Sequence, residues 1–195
     1  MAKQFFISDL HFGHKKVLSY DNRPFTSIEA HDQELITRWN NTVSNLDEVY
    51  ILGDISWYSS AKTIEILKKL KGKKYLTVGN HDEDLLISPD FRKQFAGIRD
   101  YMELPLDKHR KIVLCHYPIP CFKKHHRGWV HLYGHVHVSY EANMMEHVKY
   151  EMESLYEAPC NMYHVGCMMP YMDYTPRTLD EIIAACGVYQ PKSGK

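Results

Sequence analysis

The chain has 195 residues, one domain's worth at the usual ~100 to 200 residues per domain, and its 44% hydrophobic and 25% charged residues exclude disorder. Twenty-four basic residues balance twenty-four acidic ones, so no overall field draws in a long nucleic acid or an anionic membrane surface, and a small partner is favoured. The apolar run before Asp9 is too short for a signal h-region, no run approaches the ~20 residues of a membrane span, and five cysteines without a CxxC pair fit a reducing compartment. The expected location is therefore the cytoplasm.

Taken in chain order, a strand is predicted over residues 4–8, followed by Asp9. Thr26 with Glu29 forms a capping box ahead of a helix over 28–43, whose stripe is Ile28, Leu35, Ile36 and Trp39. A strand over 49–52 leads into Gly53-Asp54. A helix over 61–71, with Ile64, Leu67 and Lys68 at helical spacing, stops at Gly72. Strands over 75–78, 111–115 and 129–133 end at Gly79-Asn80, at His116 and at Gly134-His135. Met145, Val148, Met152 and Leu155 recur at three, four and three, which predicts an amphipathic helix inserted at about 141–156. Thr178 with Glu181 opens a last helix through Cys186 that Gly187 ends, and a frayed tail is expected from Gln190 to Lys195. No repeat or linker divides the chain, so residues 1–195 read as a single domain.

Every predicted strand thus ends in a residue able to bind a metal. Ligands of layered α/β proteins gather outside the carboxyl ends of strands, so these five termini can meet although more than a hundred residues separate them. Asp9 and His11, like His135 and His137, are spaced i, i+2 and in an extended segment would project to one side. Three oxygens (Asp9, Asp54, Asn80) and four imidazoles (His11, His116, His135, His137) exceed what one zinc takes, and the absence of thiolate suits Mn, Fe, Zn or Ni. Two divalent ions ~3.5 to 4 Å apart, bridged by a carboxylate, would hold a phosphoryl group and bring the pKa of a bound water toward neutrality. The chemistry implied is phosphoester hydrolysis.

Asp9-Leu-His11, Gly53-Asp54, Gly79-Asn80-His81-Asp82, His116 and Gly134-His135-Val136-His137 resemble, in order, the five motifs of the calcineurin-like metallophosphoesterase superfamily, across residues 9–137. The phrases Asn22-Arg23-Pro24-Phe25 and 176–183 look similar to small bacterial and phage members. The resemblance implies an α/β fold, a four-layer αββα sandwich of two mixed sheets flanked by helices. It also implies that Asp9, His11 and His137 hold a first metal, that Asp54 bridges, and that Asn80, His116 and His135 hold a second. His81 would protonate the leaving oxygen or stabilise phosphoryl charge during in-line attack by a hydroxide shared between the ions, with Asp82 orienting it.

Departures narrow the reading. After Gly53-Asp54 the chain runs Ile55-Ser56-Trp57-Tyr58, without the Asp-Arg-Gly of phosphoprotein phosphatases, and the third motif is GNHD, not GNHE. Arg23 is expected to contact substrate phosphate, since a guanidinium suits bidentate binding. Lys123 to Arg127 is either a phosphate-binding loop or a solvated one. Cys115, Cys160, Cys167 and Cys186 read as buried apolar residues, and the methionines of the C-terminal third as core or as an adaptable wall opposite Trp57 or Tyr58. The expected activity is hydrolysis of a small phosphomonoester or phosphodiester, nucleotide-like substrates favoured. A single-strand nuclease and a non-catalytic metal-bound scaffold are the alternatives.

Overall fold

In the computed structural model, which describes residues 2–186, the apolar runs form two four-stranded sheets. The first carries β1 (Gln4–Ile7), β2 (Glu48–Ile51), β3 (Lys73–Thr77) and β4 (Gly97–Arg99) in that order, all parallel. Parallel strands are covered on both faces, and this is why Phe5, Phe6 and Ile7, or Val49, Tyr50 and Ile51, are buried consecutively rather than alternately. The second sheet orders β5 (Tyr101–Pro105), β6 (Lys111–Cys115), β7 (Val130–Tyr133) and β8 (Met162–His164); β5 and β6 are antiparallel and the rest parallel.

One core cluster draws on both sheets, with Phe6, Ile51 and Leu76 from the first and Ile112, Leu114 and Leu132 from the second. The sheets are also tied through backbone: the Ser8 N–H donates to Val165 O at 2.8 Å, and the Cys167 N–H to Ser8 O at 2.9 Å. That bridge sets the carboxyl ends of β1 and β8 side by side. The first motif and the segment after β8 therefore meet at one edge.

Among the described residues seven α-helices flank the sheets: α1 (Val17–Tyr20), α2 (Ile28–Thr42), α3 (Ser60–Lys69), α4 (Glu83–Leu86), α5 (Pro89–Arg92), α6 (Tyr140–Tyr156) and α7 (Leu179–Cys186). The cap of α2 is Ser27 rather than Thr26: its backbone is extended and its Oγ accepts the Ala30 N–H at 3.2 Å. Thr178 and Glu181 do form a reciprocal box, each accepting the other's backbone N–H. Gly187 and the segment 190–195 lie outside the described residues. Among the described residues no helix is long and apolar enough to cross a membrane.

Helix α6 packs Met145 on a second core cluster with Val113, Tyr133, Val136 and Met162, against the outer face of the second sheet. Of the expected stripe, Met145 is fully buried, Val148 and Met152 are half-buried, and Leu155 is 75% exposed. Cys115 and Cys167 are buried as expected, Cys160 is half-buried, and Cys186 is exposed at the end of α7.

Candidate metal centre

The chain turns sharply after β1, β2 and β7, and this backbone geometry explains how their motifs meet. Asp9, His11, Asp54, His135 and His137 all have positive φ, between 49° and 72°. The pairs Asp9/His11 and His135/His137 are thus left-handed turns, not the extended segments their i, i+2 spacing suggested. Non-glycine residues in this region are strained, and five ligand candidates sharing it mark a site where tertiary contacts outweigh local preference. Two glycines permit the close approach. A Cβ on Gly53 (φ +85°) would fall on Nδ1 of His116, and one on Gly79 would fall on Oδ1 of Asp54.

All seven predicted ligands come together. Single donor atoms of Asp9, His11, Asp54 and His137 lie within 4.8 Å of one another. His11 Nε2 is 3.1 Å from His137 Nε2 and 3.5 Å from Asp54 Oδ2. On the other side, His116 Nε2 is 3.6 Å from Asp54 Oδ1 and 3.1 Å from Asn80 Oδ1, and His135 Nδ1 is 3.0 Å from the same Asn80 oxygen. Asp54 stands between the two groups, with one oxygen toward each.

The tautomers indicate what belongs at the centre. His116 donates its Nδ1 proton to Leu52 O at 2.7 Å, and His137 donates its Nδ1 proton to the Asp21 carboxylate at 3.0 Å. In the neutral form each therefore aims an Nε2 lone pair inward, where it meets other lone pairs: the Asn80 oxygen and the Asp54 carboxylate for His116, and the Asp9 carboxylate for His137. Converging lone pairs repel unless cations sit among them, and mixed oxygen and imidazole donors suit a divalent transition metal. The residues present fit such ions.

Burial and charge shift these groups in different directions. Burial, reinforced by the charges of Asp9 and Asp82 and offset in part by His116, pushes the Asp54 carboxyl up to about 7. Asp9 resists burial and is held well below the usual carboxylate range by the imidazoles of His164, His137 and His116. Burial takes His11 well below an ordinary histidine. It also works on His137, but there the Asp21 hydrogen bond and the Asp9 charge prevail and leave it raised.

His81 lies at the rim, its side chain 41% exposed and its Nε2 4.0 Å from Asp54 Oδ2, while its backbone N–H donates to Asp54 Oδ1 at 3.0 Å. Burial and then the charges of His116 and His137 lower its pKa, which makes it a neutral N–H donor near pH 7. Asp82 does not orient it. That carboxylate is buried and accepts the backbone N–H groups of Asp54, Ile55 and Gly79 at 2.9 to 3.0 Å, clamping the second motif to the third.

Arg23 departs most from expectation. Its side chain is fully buried and its N–H groups are spent inside the protein: two donate to Asp21 Oδ2 at 2.8 and 3.0 Å, others to Asp9 O at 2.9 Å and Leu10 O at 3.2 Å, and His31 Nε2 lies 2.9 Å away. It props the Asp9–His11 turn from behind and has no exposed face for substrate. His31 continues this support to Asp32 (2.8 Å), which accepts the Gly13 N–H. Asp21, His31 and Asp32 went unread because they match no motif; the signal was three polar residues within twelve that a buried arginine would need. The Lys123–Arg127 segment is an exposed turn and 3-10 helix whose Lys123 pairs with Glu103 at 3.0 Å and, with Lys124, lies over Trp129.

A two-sheet α/β sandwich with carboxylate and imidazole donors gathered at its joined strand ends is the architecture of a metal-dependent hydrolase. The chain belongs to the calcineurin-like phosphoesterase family, whose model matches residues 3–155, and is a metal-dependent phosphoric ester hydrolase. It is 34% identical over 142 residues to an uncharacterized protein, MJ1445, of Methanocaldococcus jannaschii, covering 72% of each chain. It is 30% identical over 161 residues to the Gene 66 protein of Mycobacterium phage D29, covering 70% of this chain and 79% of that one. A solved structure of similar fold is the protein of unknown function AQ665 from Aquifex aeolicus, with a TM-score of 0.69 at 24% identity over 93% of this chain and 98% of that one.

Proposed function

We propose that the protein is a dinuclear phosphoesterase of small substrates, with Asp9, His11 and His137 holding one divalent ion, Asn80, His116 and His135 a second, and Asp54 shared. The observation that carries this reading is Asp54: one oxygen of the buried carboxyl faces each group of donors, 3.5 Å from His11 Nε2 on one side and 3.6 Å from His116 Nε2 on the other. Such ions, when bound, polarise phosphoryl oxygens and lower the pKa of water.

The chain's own residues supply the rest. Asp21 fixes the ring of His137 and the Leu52 carbonyl fixes that of His116, so each Nε2 is set before a metal arrives. His81 presents an N–H at the rim, where it can hydrogen-bond a phosphoryl or leaving-group oxygen. The exposed carboxylates of Glu83 and Asp84 line the same side of the rim, and they oppose a polyanion while leaving room for a small ester.

The test uses metal-stripped protein returned to Mn, Ni, Zn or Fe, with para-nitrophenyl phosphate and bis-para-nitrophenyl phosphate as substrates. Turnover that needs metal, with two ions bound per chain, and that Asp54→Ala abolishes and His81→Ala lowers by about 10²-fold or more supports the proposal. Turnover at full rate with one ion per chain refutes the dinuclear reading, and none with any metal refutes the phosphoesterase roles assigned to these residues.

A further inference from the structure

Two cavities adjoin the metal centre and share no lining residue. The smaller, about 310 Å³, opens beside Asn80 and His81 between Trp57, Tyr58 and the carboxylates of Glu83 and Asp84. The larger, about 980 Å³, starts at Asp21 and His137 and runs between α6 and the segment after β8. Tyr133, Val136, Met162, Met168 and Met169 give it apolar walls, while α6 adds the polar side chains of Asn143, Glu146 and Lys149. A hollow of this size with apolar walls and a few polar groups among them is the form that small-molecule sites take.

His164 is one of those polar groups. It lines the larger cavity and is only 4% exposed, its ring stacks on Tyr133, and neither ring nitrogen has a hydrogen-bond partner. Nε2 stops 3.6 Å from Asp9 Oδ2, beside the metal centre. A buried imidazole with both nitrogens unmet is unfavourable until something in the cavity meets them. Beyond its pull on the Asp9 carboxylate, none of the roles assigned above uses it.

The geometry points to a phosphodiester substrate with unequal halves: a small polar leaving group in the His81 cavity, and a larger, mainly apolar retained group in the α6–β8 cavity with one hydrogen-bonding atom toward His164. A monoester has a single organic group and would leave one cavity without a role. This assignment rests on the hydrolase reading above and adds the substrate class to it. In the reaction, the oxygen of water bonds to phosphorus as the P–O bond to the leaving group breaks. One water proton ends on the leaving oxygen, the other passes to solvent, and the retained half departs as a phosphomonoester.

The experiment holds the leaving group constant. Methyl and hexyl para-nitrophenyl phosphodiesters are compared on the full chain loaded with Mn(II), beside Asn143→Trp and Ala185→Trp, two exposed positions that line the larger cavity. The expected result is a KM at least tenfold lower for the hexyl ester, with both tryptophans raising the hexyl KM at least tenfold more than the methyl KM. Equal KM for the two esters, or variants that affect both alike, overturns the assignment. Titration calorimetry of methylphosphonate and hexylphosphonate into the same loaded chain reads the cavity without turnover. If neither ester is hydrolysed, the hydrolase reading fails on its own account; hexylphosphonate binding at least tenfold tighter still supports the cavity, and equal binding refutes it.

Discussion

His131 on β7 is fully buried and uses both ring nitrogens. Nδ1 donates to Val113 O at 3.2 Å, and Nε2 accepts the Ile119 N–H at 3.1 Å, pinning the loop that follows His116. This arrangement needs a neutral ring, and burial takes its pKa down to about 4, against the opposing pull of the Val113 and Tyr117 carbonyls. The unfolded chain binds that proton near pH 6.5, so the histidine's contribution to stability is complete above pH 6.5 and is lost as pH falls toward 4. A gap of ~2.5 at 1.36 kcal/mol each amounts to ~3 kcal/mol, of which ~2.5 kcal/mol is gone by pH 4.5. For a chain of this length that is about 5–10 °C in Tm. His131→Gln keeps one donor and one acceptor but does not titrate. Urea unfolding of metal-stripped wild type and His131→Gln at pH 7 and pH 4.5 should show the variant less stable at pH 7 and the difference shrinking or reversing by ~2.5 kcal/mol at pH 4.5. Other titrating groups cancel in that difference. A gap that stays constant across the two pH values refutes the reasoning.

In the metal-stripped protein Asp54 acts in the opposite direction. Its folded pKa of about 7 lies above the unfolded value near 3.8, so stability falls as pH rises through that window, and saturating Mn(II) should remove the fall in a thermal-shift series. Asp21→Asn leaves His137 without a carboxylate on Nδ1 and should weaken metal binding by about 10- to 100-fold in chelator competition. Arg23→Ala breaks a buried ion pair and should cost about 3–5 kcal/mol in chemical denaturation; folded protein whose only defect is a raised substrate KM would restore the substrate-contact reading. Gly79→Ala places a methyl on the Asp54 carboxylate and should lower the metal content per chain.

Much of this architecture was legible because the same residue positions obey two rules at once. Runs such as 49–52 are apolar enough to be buried on both faces, and each is followed by a glycine or a ligand, so strand and site announce one another. The strands that went unread carry neither signal. β4 is three residues beginning with Gly97, β5 is a partly exposed edge ending in Pro105, and β8 is three residues whose burial depends on β7 and α6. The site divides in the same way. The seven donors form ordered motifs, but the residues that aim them are fixed by distances the sequence does not contain: Arg23 reaches the Asp9 and Leu10 carbonyls only because the turn after β1 is left-handed, and Asp82 reaches three amides only because Gly53 and Gly79 lie against each other. Spacing at i, i+2 suggested the right partner for Asp9 by the wrong geometry, and it could not separate His135 from His137, which face different groups of donors. In an extended segment the intervening residue would face away into one layer; in the left-handed turns Leu10 and Val136 are instead the buried plugs, 0% and 4% exposed, that hold each turn against the sheets. The strain at the ligands is therefore supported by apolar packing one residue away, and the side chain between two ligands is as much a part of the metal centre's stability as the ligands themselves.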